Sequence, residues 1–270
     1  MSTTPHRRSP TRDHHRRAVL RSIREMHGRI DEHLTLEDLA RAAYASPFHF
    51  NRIFHREVGL PPGHFLSALR METAKRLLLQ TGQKVIDICL NVGFSSPGTF
   101  SRRFRDMTGL SPHHMRRLDR ELGDDKVERY TPHTAGRGRG VIHARLHVPP
   151  DFHGLVFAGL FPTPLPQSKP LACAVLVRPA RFRISGAPEG EHYLLAVGVP
   201  LRISPRQLLM PETALRGGST SRPVVIRNGR CDHEPEIILR PPRPTDPPIL
   251  ITLPWEARRA AARDGAPGAS

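Results

Sequence analysis

Basic and hydrogen-bonding side chains recur at a spacing of 50 residues in two segments of the chain. Arg52 in the first segment matches Arg102 in the second, and Asn51 matches Ser101. Arginine presents a planar fork of N–H donors to a guanine edge or a phosphate, and asparagine pairs with an adenine edge. These residue types therefore indicate recognition of double-stranded DNA, a function that needs no catalytic group.

Ten residues of the two segments are candidates for contacts with DNA. Arg52 and Arg102 are assigned to guanine edges or adjacent phosphates, Asn51 to an adenine edge, and Phe48 to a thymine methyl group. The other six are assigned to phosphate or flanking contacts: His49, Arg56, Thr99, Ser101, Arg103 and Arg105. A solvated helix face would explain any one of these arginines, but it explains the matched set less well.

These residues belong to an internal repeat, and a repeat decides the architecture of a chain. The first copy ends in Gly59-Leu60-Pro61-Pro62 and the second in Gly109-Leu110-Ser111-Pro112. Upstream of the Ser-Pro pair that begins each second helix, the offset falls from 50 to 49 residues. One residue is therefore inserted in the turn of the second copy, and each copy is predicted to be a helix, a tight turn and a second helix.

The second helix of each copy has clear start and stop signals. Ser46 and Ser96 are expected N-caps, and each is followed by a proline at the first helical position. Gly59 and Gly109 are expected to end the helices, which are predicted over residues 47–58 and 97–108. Gly93 is expected to supply the positive φ of the second turn. Apolar residues at helical spacing predict one buried face on each helix: Phe50, Phe54 and Val58, then Phe100, Phe104 and Met107.

At these residues the chain resembles the DNA-binding domain of the AraC/XylS family of bacterial transcription regulators. The resemblance covers residues 17–120, and its most specific part is in the second copy: Val85 to Cys89, Val92 to Ser96, Phe100 to Phe104 and Gly109 to Pro112. It implies two helix-turn-helix units in successive major grooves of a specific, asymmetric DNA site, with RNA polymerase as a further partner. The chain departs from the family at Cys89, usually alanine, and at Gly98, often polar. Gly98 has no side chain to offer a base, which weakens direct readout by the second unit.

The fold class is expected to be α+β with two domains, an all-α tandem helix-turn-helix domain followed by an all-β sandwich-like domain. The expected boundaries are a disordered basic arm at 1–14, the DNA-binding domain at 15–120 with units at 35–59 and 84–109 joined by a linker helix at 63–80, an interdomain linker at 121–140, the β domain at 141–256 and a disordered tail at 257–270.

The C-terminal half carries short β-rich runs between proline and glycine turn signals. Eight runs are predicted as strands of an antiparallel sandwich or barrel: 141–148, 155–161, 171–177, 182–184, 192–199, 224–227, 237–240 and 249–253. Residues 202–222 are expected to form either a short helix or a long loop. Residues 152–167 are expected to form either sandwich core with a loop or the lining of a pocket or interface. In the family the partner domain usually comes first, so the order here is reversed. Effector sensing and oligomerisation are the two roles considered for it, in a monomer or a homodimer.

Charge and cysteine content support this reading only in general terms. The net charge of +16 suits a polyanion partner, but residues 1–130 and 131–270 each contribute +8, so it does not locate the DNA site. The three cysteines are far apart, and no apolar run of about 18 residues exists. The sequence therefore predicts a cytoplasmic, nucleoid-associated protein without a disulfide framework, metal site, cofactor or membrane segment.

Two alternatives come from other functional classes. An Ada-like DNA-repair regulator would need a reactive cysteine, but Cys173 lies in an apolar run and Cys231 lacks the Pro-Cys-His-Arg motif of the alkylguanine class. A non-specific nucleoid protein would not need two capped helices with different exposed faces. The expectation is therefore a regulator that is not an enzyme.

Overall fold

The computed structural model describes residues 10–122, 133–177, 180–201, 204–211, 214–218 and 222–252. The first of these ranges contains seven helices joined by short turns: α1 (Pro10–Gly28), α2 (Leu36–Ala42), α3 (Pro47–Val58), α4 (Pro62–Gln80), α5 (Val85–Asn91), α6 (Pro97–Thr108) and α7 (Pro112–Leu122). None of the described helices is both long enough and apolar enough to cross a membrane.

The predicted bounds of the two second helices are confirmed. The Ser46 hydroxyl accepts the His49 N–H at the start of α3, and the Ser96 hydroxyl accepts the Thr99 N–H at the start of α6, both at 3.4 Å. Both helices end at a glycine in the left-handed region, Gly59 at φ 82° and Gly109 at φ 85°. The linker helix α4 also matches its prediction, beginning one residue early.

One apolar core holds the helices together. Phe50 and Phe54 of α3 stack edge to face, with ring centroids 5.5 Å apart, and Phe54 contacts Phe65 of α4 at 5.6 Å. In α6, Phe100 and Phe104 stack at 5.8 Å. All five rings are fully buried in a single cluster, so the two units share one core through α4. The predicted apolar faces of α3 and α6 are confirmed.

The second part of the chain is a curled, mixed sheet with one short helix. Its elements are β1 (His133–Gly136), β2 (Gly140–His147), β3 (Gly154–Phe161), β4 (Ala172–Val177), β5 (Arg181–Ala187), β6 (Gly190–Pro200), α8 (Pro205–Leu209), β7 (Leu215–Gly218), β8 (Val224–Arg227), β9 (Arg230–Cys231) and β10 (Glu236–Ile238). The strand order is β1-β4-β3-β6-β8-β9-β2-β10, with β5 beside β2 and β7 beside β6. Most pairs are antiparallel, but β2 pairs in parallel with β9 and β10.

The sheet curls around its own core, in which inward residues of β2, β3, β4 and β6 pack together. In β2 the residues alternate between buried and more exposed, as the sequence predicts. The curl brings β1 against β5, where Gly136 and Gly186 lie back to back with no room for a side chain. Asn228 and Gly229 both have positive φ, 53° and 75°, and form the two-residue turn between β8 and β9.

Several predicted boundaries need correction. Helix α1 begins at Pro10, so residues 10–14 of the predicted disordered arm are helical, while residues 1–9 lie outside the described part. Of the predicted linker 121–140, residues 121–122 end α7, residues 133–136 form β1 and residue 140 begins β2. Residues 123–132, like the predicted tail 257–270, lie outside the described residues. β1 forms because its backbone pairs with β4, a distant partner that local sequence does not reveal.

The strand predicted at 249–253 is wrong over its described residues. Residues 249–252 are irregular, and their buried side chains pack beside the helices and the outer face of the sheet instead of joining the ladder. Strands β7 and β9 were not predicted, because β7 ends in two glycines and β9 is only two residues long. The stretch 202–222 contains α8 and β7; of the residues 210–214 between them, 212 and 213 lie outside the described part of the chain.

Candidate nucleic-acid interface

The face of α3 opposite its apolar stripe carries the first candidate surface. Phe48 is 82% exposed, an unusual degree for a large aromatic side chain. Asn51, Arg52 and His55 are also exposed on this helix, one to two turns further along. The arrangement presents an apolar ring, an amide and a guanidinium together, which are the groups that read base edges in a major groove.

The matching face of α6 is chemically simpler. Thr99, Arg102 and Arg105 are exposed, Ser101 is half-buried, and Gly98 stands where α3 carries Phe48. This helix therefore offers guanidinium and hydroxyl groups but no aromatic ring and no amide. This surface therefore has fewer kinds of group for reading base edges than the surface of α3.

Two of the candidate residues on α3, His49 and Arg56, contact the neighbouring helix α1. The Arg52 guanidinium lies 3.3 Å from Nδ1 of His49, and the Arg56 guanidinium lies 2.6 Å from Nδ1 of His15 on α1. The rings of His15 and His49 are 5.5 Å apart. Burial and the nearby Arg56 lower the pKa of His15, which favours the neutral ring that can accept a hydrogen bond from Arg56. The pair holds Arg56 toward α1, at the flank of α3.

Arg103 also has a structural partner. Its Nε and Nη2 atoms both donate to the Ser67 hydroxyl of α4 at 3.3 Å. Arg103 is exposed like Arg102 and Arg105, but this contact draws its guanidinium toward the linker helix. Contact with a flanking phosphate remains a prediction for Arg103.

The turns of the two units differ in a way that the sequence analysis missed. Gly93 has φ 74° as expected, and the equivalent residue in the first unit is Tyr44, with φ 54°. Tyr44 is 82% exposed, and the Arg21 guanidinium lies over its ring at 4.9 Å from the centroid. The repeat offset of 49 residues aligns Tyr44 with Gly93, so a positive φ at Tyr44 could have been predicted from the alignment of the two copies.

The first helices of the two units are also capped differently. The Thr35 hydroxyl accepts the Asp38 N–H at 3.2 Å, and the Asp38 carboxylate accepts the Thr35 N–H at 3.0 Å, which is a capping box. The hydrogen bonds that the Thr35 N–H and the Thr35 hydroxyl donate to the Asp38 carboxylate lower the pKa of Asp38. Lys84, the N-cap of α5, makes no side-chain cap.

The cysteines bear on the alternative of a reactive thiol. Burial raises the pKa of Cys89, whose Sγ lies 3.3 Å from the Phe94 carbonyl oxygen. Burial, with the Asp232 carboxylate nearby, also raises the pKa of Cys231. Neither thiol is thus activated by its surroundings. The consecutive residues Cys231, Asp232 and His233 bring three potential metal-ligand atoms within 4.8 Å of one another, where the sequence predicts no metal site.

Residues 39–118 match a family model described as a helix-turn-helix domain. The transcriptional activator AarP of Providencia stuartii is 33% identical over 97 residues, which are 36% of this chain and 72% of AarP. The uncharacterised transcriptional regulator YbfP of Bacillus subtilis is 31% identical over 117 residues, which are 43% of this chain and 40% of YbfP. The chain thus spans well under half the length of YbfP.

Among solved structures, a transcriptional regulator from Chromobacterium violaceum with AraC-type DNA-binding domains is similar to this chain. It is 28% identical, covers 40% of this chain and 96% of its own length, and aligns with a TM-score of 0.38. The family-model match, at residues 39–118, lies in the helical part of the chain, where both candidate surfaces are found.

Proposed function

The chain belongs to the AraC-type family of helix-turn-helix transcriptional regulators, and from this premise we propose that it binds a specific, asymmetric DNA site. In this proposal α3 and α6 are the recognition helices and enter successive major grooves on one face of the duplex. One observation carries the proposal: two helices with matching caps and matching buried faces present different exposed side chains. Different faces on equivalent helices predict an asymmetric site.

The two helices contribute unequally. On α3, Asn51 would pair with an adenine edge, Arg52 with a guanine edge and Phe48 with a thymine methyl group. On α6, Arg102 would contact a guanine edge or a phosphate, and Arg105 would contact a phosphate. Most of the base discrimination therefore comes from α3, while α6 sets register and adds electrostatic affinity.

The flanking contacts are proposed for the residues nearest the neighbouring helices. His49 and Arg56 sit beside α1, and Arg103 sits beside α4, so they would reach the backbone at the edge of the groove. Thr99 and Ser101 would donate hydroxyl hydrogen bonds to phosphates near the start of α6. Successive major grooves are about 34 Å apart, and a closer pair of helices would require the DNA to bend.

The β domain is proposed to modulate this activity. A cleft of about 330 Å³ lies between the end of α3 and the sheet, lined by Glu57 and Val58 on one side and by Arg216, Arg240 and Ile249 on the other. This volume is at the lower end of the range for small-molecule sites, about 300–1,000 Å³. A small effector bound here would touch both domains. RNA polymerase is the further partner that transcriptional control requires, and the position of the DNA site relative to polymerase would decide between activation and repression.

The proposal is tested by footprinting the full-length chain on DNA selected from random sequence, at several salt concentrations. We expect protection of one site of about 20 base pairs with contacts in two successive major grooves. Arg52→Ala should weaken specific binding by about 1–3 kcal/mol and relax specificity at one position. Arg102→Ala should reduce the salt dependence as well as the affinity. Equal binding to all sequences, with only the salt slope affected by both changes, would support a non-specific nucleoid protein instead.

A further inference from the structure

Two segments of the β domain reach into the helical domain side by side. We name residues 164–168 and 249–252 together the brace. The Leu250 and Ile251 N–H groups both donate to the Pro166 carbonyl, at 3.0 and 3.2 Å, so the two segments are joined. Leu165 and Leu250 are buried in the helical core, not in the core of the sheet. The brace is therefore part of the packing that holds the helices.

The brace is fastened to the linker helix by Lys75 of α4. The side chain is fully buried, and its Nζ lies 3.5, 3.4 and 3.3 Å from the carbonyl oxygens of Ile249, Leu250 and Ile251. An ammonium group has three N–H donors, and three backbone acceptors surround this one. Buried lysines are rare without such partners. Lys75 thus ties the middle of α4 to one segment of the brace.

The brace also caps the end of α6. The last carbonyl groups of a helix have no partner within it. In α6, the Met107 carbonyl accepts the Ser168 N–H at 2.6 Å, and the Thr108 carbonyl accepts the Thr252 hydroxyl at 3.1 Å. Ser168 has φ 58°, a conformation that non-glycine residues seldom adopt unless their surroundings require it.

The brace faces the equivalent end of α3 as well. Glu57 and Val58 line the same cleft as Pro164, Pro166 and Ile249. By the repeat offset of 50 residues, Glu57 and Val58 correspond to Met107 and Thr108, the two residues that the brace caps in α6. The brace therefore holds the end of the second unit and the helix between the units, and it faces the equivalent end of the first unit across the cleft.

We propose that the brace sets the distance and angle between α3 and α6, so that the β domain determines which spacing of the two half-sites the protein accepts. Lys75 and Thr252 are positioning residues in this proposal, because they act on DNA only through the helices they hold. The proposal rests on the proposed function, in which both helices enter major grooves of one site. It gives the β domain a role in specificity without requiring it to touch DNA.

The test uses the full-length chain and the DNA site recovered by selection, with the centre shortened or lengthened by one or two base pairs. A change of two base pairs rotates the half-sites by about 70° relative to each other. The variants are Lys75→Met and the milder Thr252→Val, which keeps the test valid if the first does not fold. Lys169→Met is the matched control, because it removes the same charge from an exposed side chain beside the brace. Binding to a single half-site is measured for every variant.

For the unchanged protein and for Lys169→Met, we expect a sharp optimum, with about tenfold weaker binding when the spacing changes by two base pairs. Lys75→Met and Thr252→Val should flatten this dependence to about threefold or less, with single half-site affinity unchanged. The proposal is overturned if both variants keep the optimum of the unchanged protein, or if they lose affinity equally on all DNAs including the single half-site. Absence of any optimum in the unchanged protein would instead refute two-groove binding itself.

Discussion

The two helix-turn-helix units have the same core and different surfaces. In both, a serine caps the second helix, two phenylalanines fill its inner face and a glycine ends it. The first unit exposes Phe48 and Asn51, where the second has Gly98 and Ser101. The second unit is instead hydrogen-bonded to the brace at its C-terminal end, where the first faces a cleft.

This contrast shows how one repeat can serve two roles. The residues that must be alike are those that fold the unit, because burial and capping act on each copy in the same way. The residues that differ lie on the exposed face and at the helix end, where they decide what the unit contacts. We infer that the first unit chiefly reads bases and that the second chiefly anchors the protein to the DNA backbone and to the β domain.

The shared core predicts equal, large losses of stability. Phe54→Ala and Phe104→Ala each remove a fully buried ring, and each should lower the free energy of unfolding by about 3–5 kcal/mol. Urea denaturation followed by circular dichroism measures both. Phe48→Ala is the control, because its ring is exposed and its loss should change stability by less than about 0.5 kcal/mol. A much smaller loss at one of the buried rings would show that the two units do not share an equivalent core.

The attachment of the brace predicts a dependence of stability on pH. Burial lowers the pKa of Lys75 to about 8 from 10.5, and Glu72 opposes the shift. Between pH 8 and 10.5 the unfolded chain therefore holds a proton at Lys75 that the folded chain has released. The free energy of unfolding should therefore rise as the pH increases from 8 to 10.5, by at most about 3 kcal/mol. This gain is lost when the pH is lowered again to 8.

Comparison with Lys75→Met isolates this effect, since other titrating groups remain in both proteins. Denaturation at pH 7.5, 9 and 10.5, at equal ionic strength, gives the difference in unfolding free energy at each pH. The unchanged protein should gain stability relative to the variant as the pH rises. A constant difference would mean that Lys75 keeps its ordinary pKa in the folded state.

The unequal surfaces predict unequal effects of matched substitutions on DNA binding. Asn51→Ala should weaken binding to the selected site by about 1–3 kcal/mol, and only when the base pair beneath it is the preferred one. Ser101→Ala removes a half-buried hydroxyl at the equivalent position and should weaken binding much less, without a change in base preference. Titrations with the preferred site and with single-base variants distinguish the two. Similar losses of base preference at both positions would remove the distinction between the units.

The two turns predict the smallest difference. A methyl group on Gly93 would lie 2.8 Å from the Arg70 guanidinium at a positive φ, so Gly93→Ala should cost about 1–2 kcal/mol of stability. Tyr44→Gly should change stability by less than about 1 kcal/mol, because relief of the left-handed conformation is offset by a more flexible unfolded chain. Thermal unfolding of the two variants provides the comparison. A large loss at Tyr44 would mean that its contact with Arg21 matters more than backbone strain.

The helical domain was predictable because its signals are local. Serine, proline and glycine define the ends of α3 and α6 within a few residues, and the repeat checks each assignment against the other copy. The positive φ of Tyr44 was missed because tyrosine carries no such local signal. In the β domain the strand predicted at 249–253 failed for a different reason, since an apolar run does not reveal whether it will pair with a strand or pack on helices. Parallel pairing of β2 with β9 and β10 depends on contacts about 90 residues apart, which composition and alternation do not encode.

The candidate site was predictable to a similar extent. Exposure of Phe48, Asn51, Arg52 and Arg102 follows from the position of the apolar stripe on each helix, and the structure agrees. The attachment of Arg103 to Ser67 and of Arg56 to His15 could not be predicted, because each joins helices that are distant in sequence. The contacts of the brace with α4 and α6 could not be predicted for the same reason, since they also join segments that are distant in sequence.

The most direct test of recognition by two units is a binding measurement on a DNA library. In this library every base pair of the selected site is changed in turn, and binding is measured at 50 and 200 mM salt. We expect two clusters of sensitive positions about one helical turn apart, with losses of about 1–3 kcal/mol per base pair beneath α3 and smaller losses beneath α6. Both clusters should persist when the salt concentration rises, while overall affinity falls. A single cluster, or equal binding to every sequence, would contradict recognition of one asymmetric site by two helices.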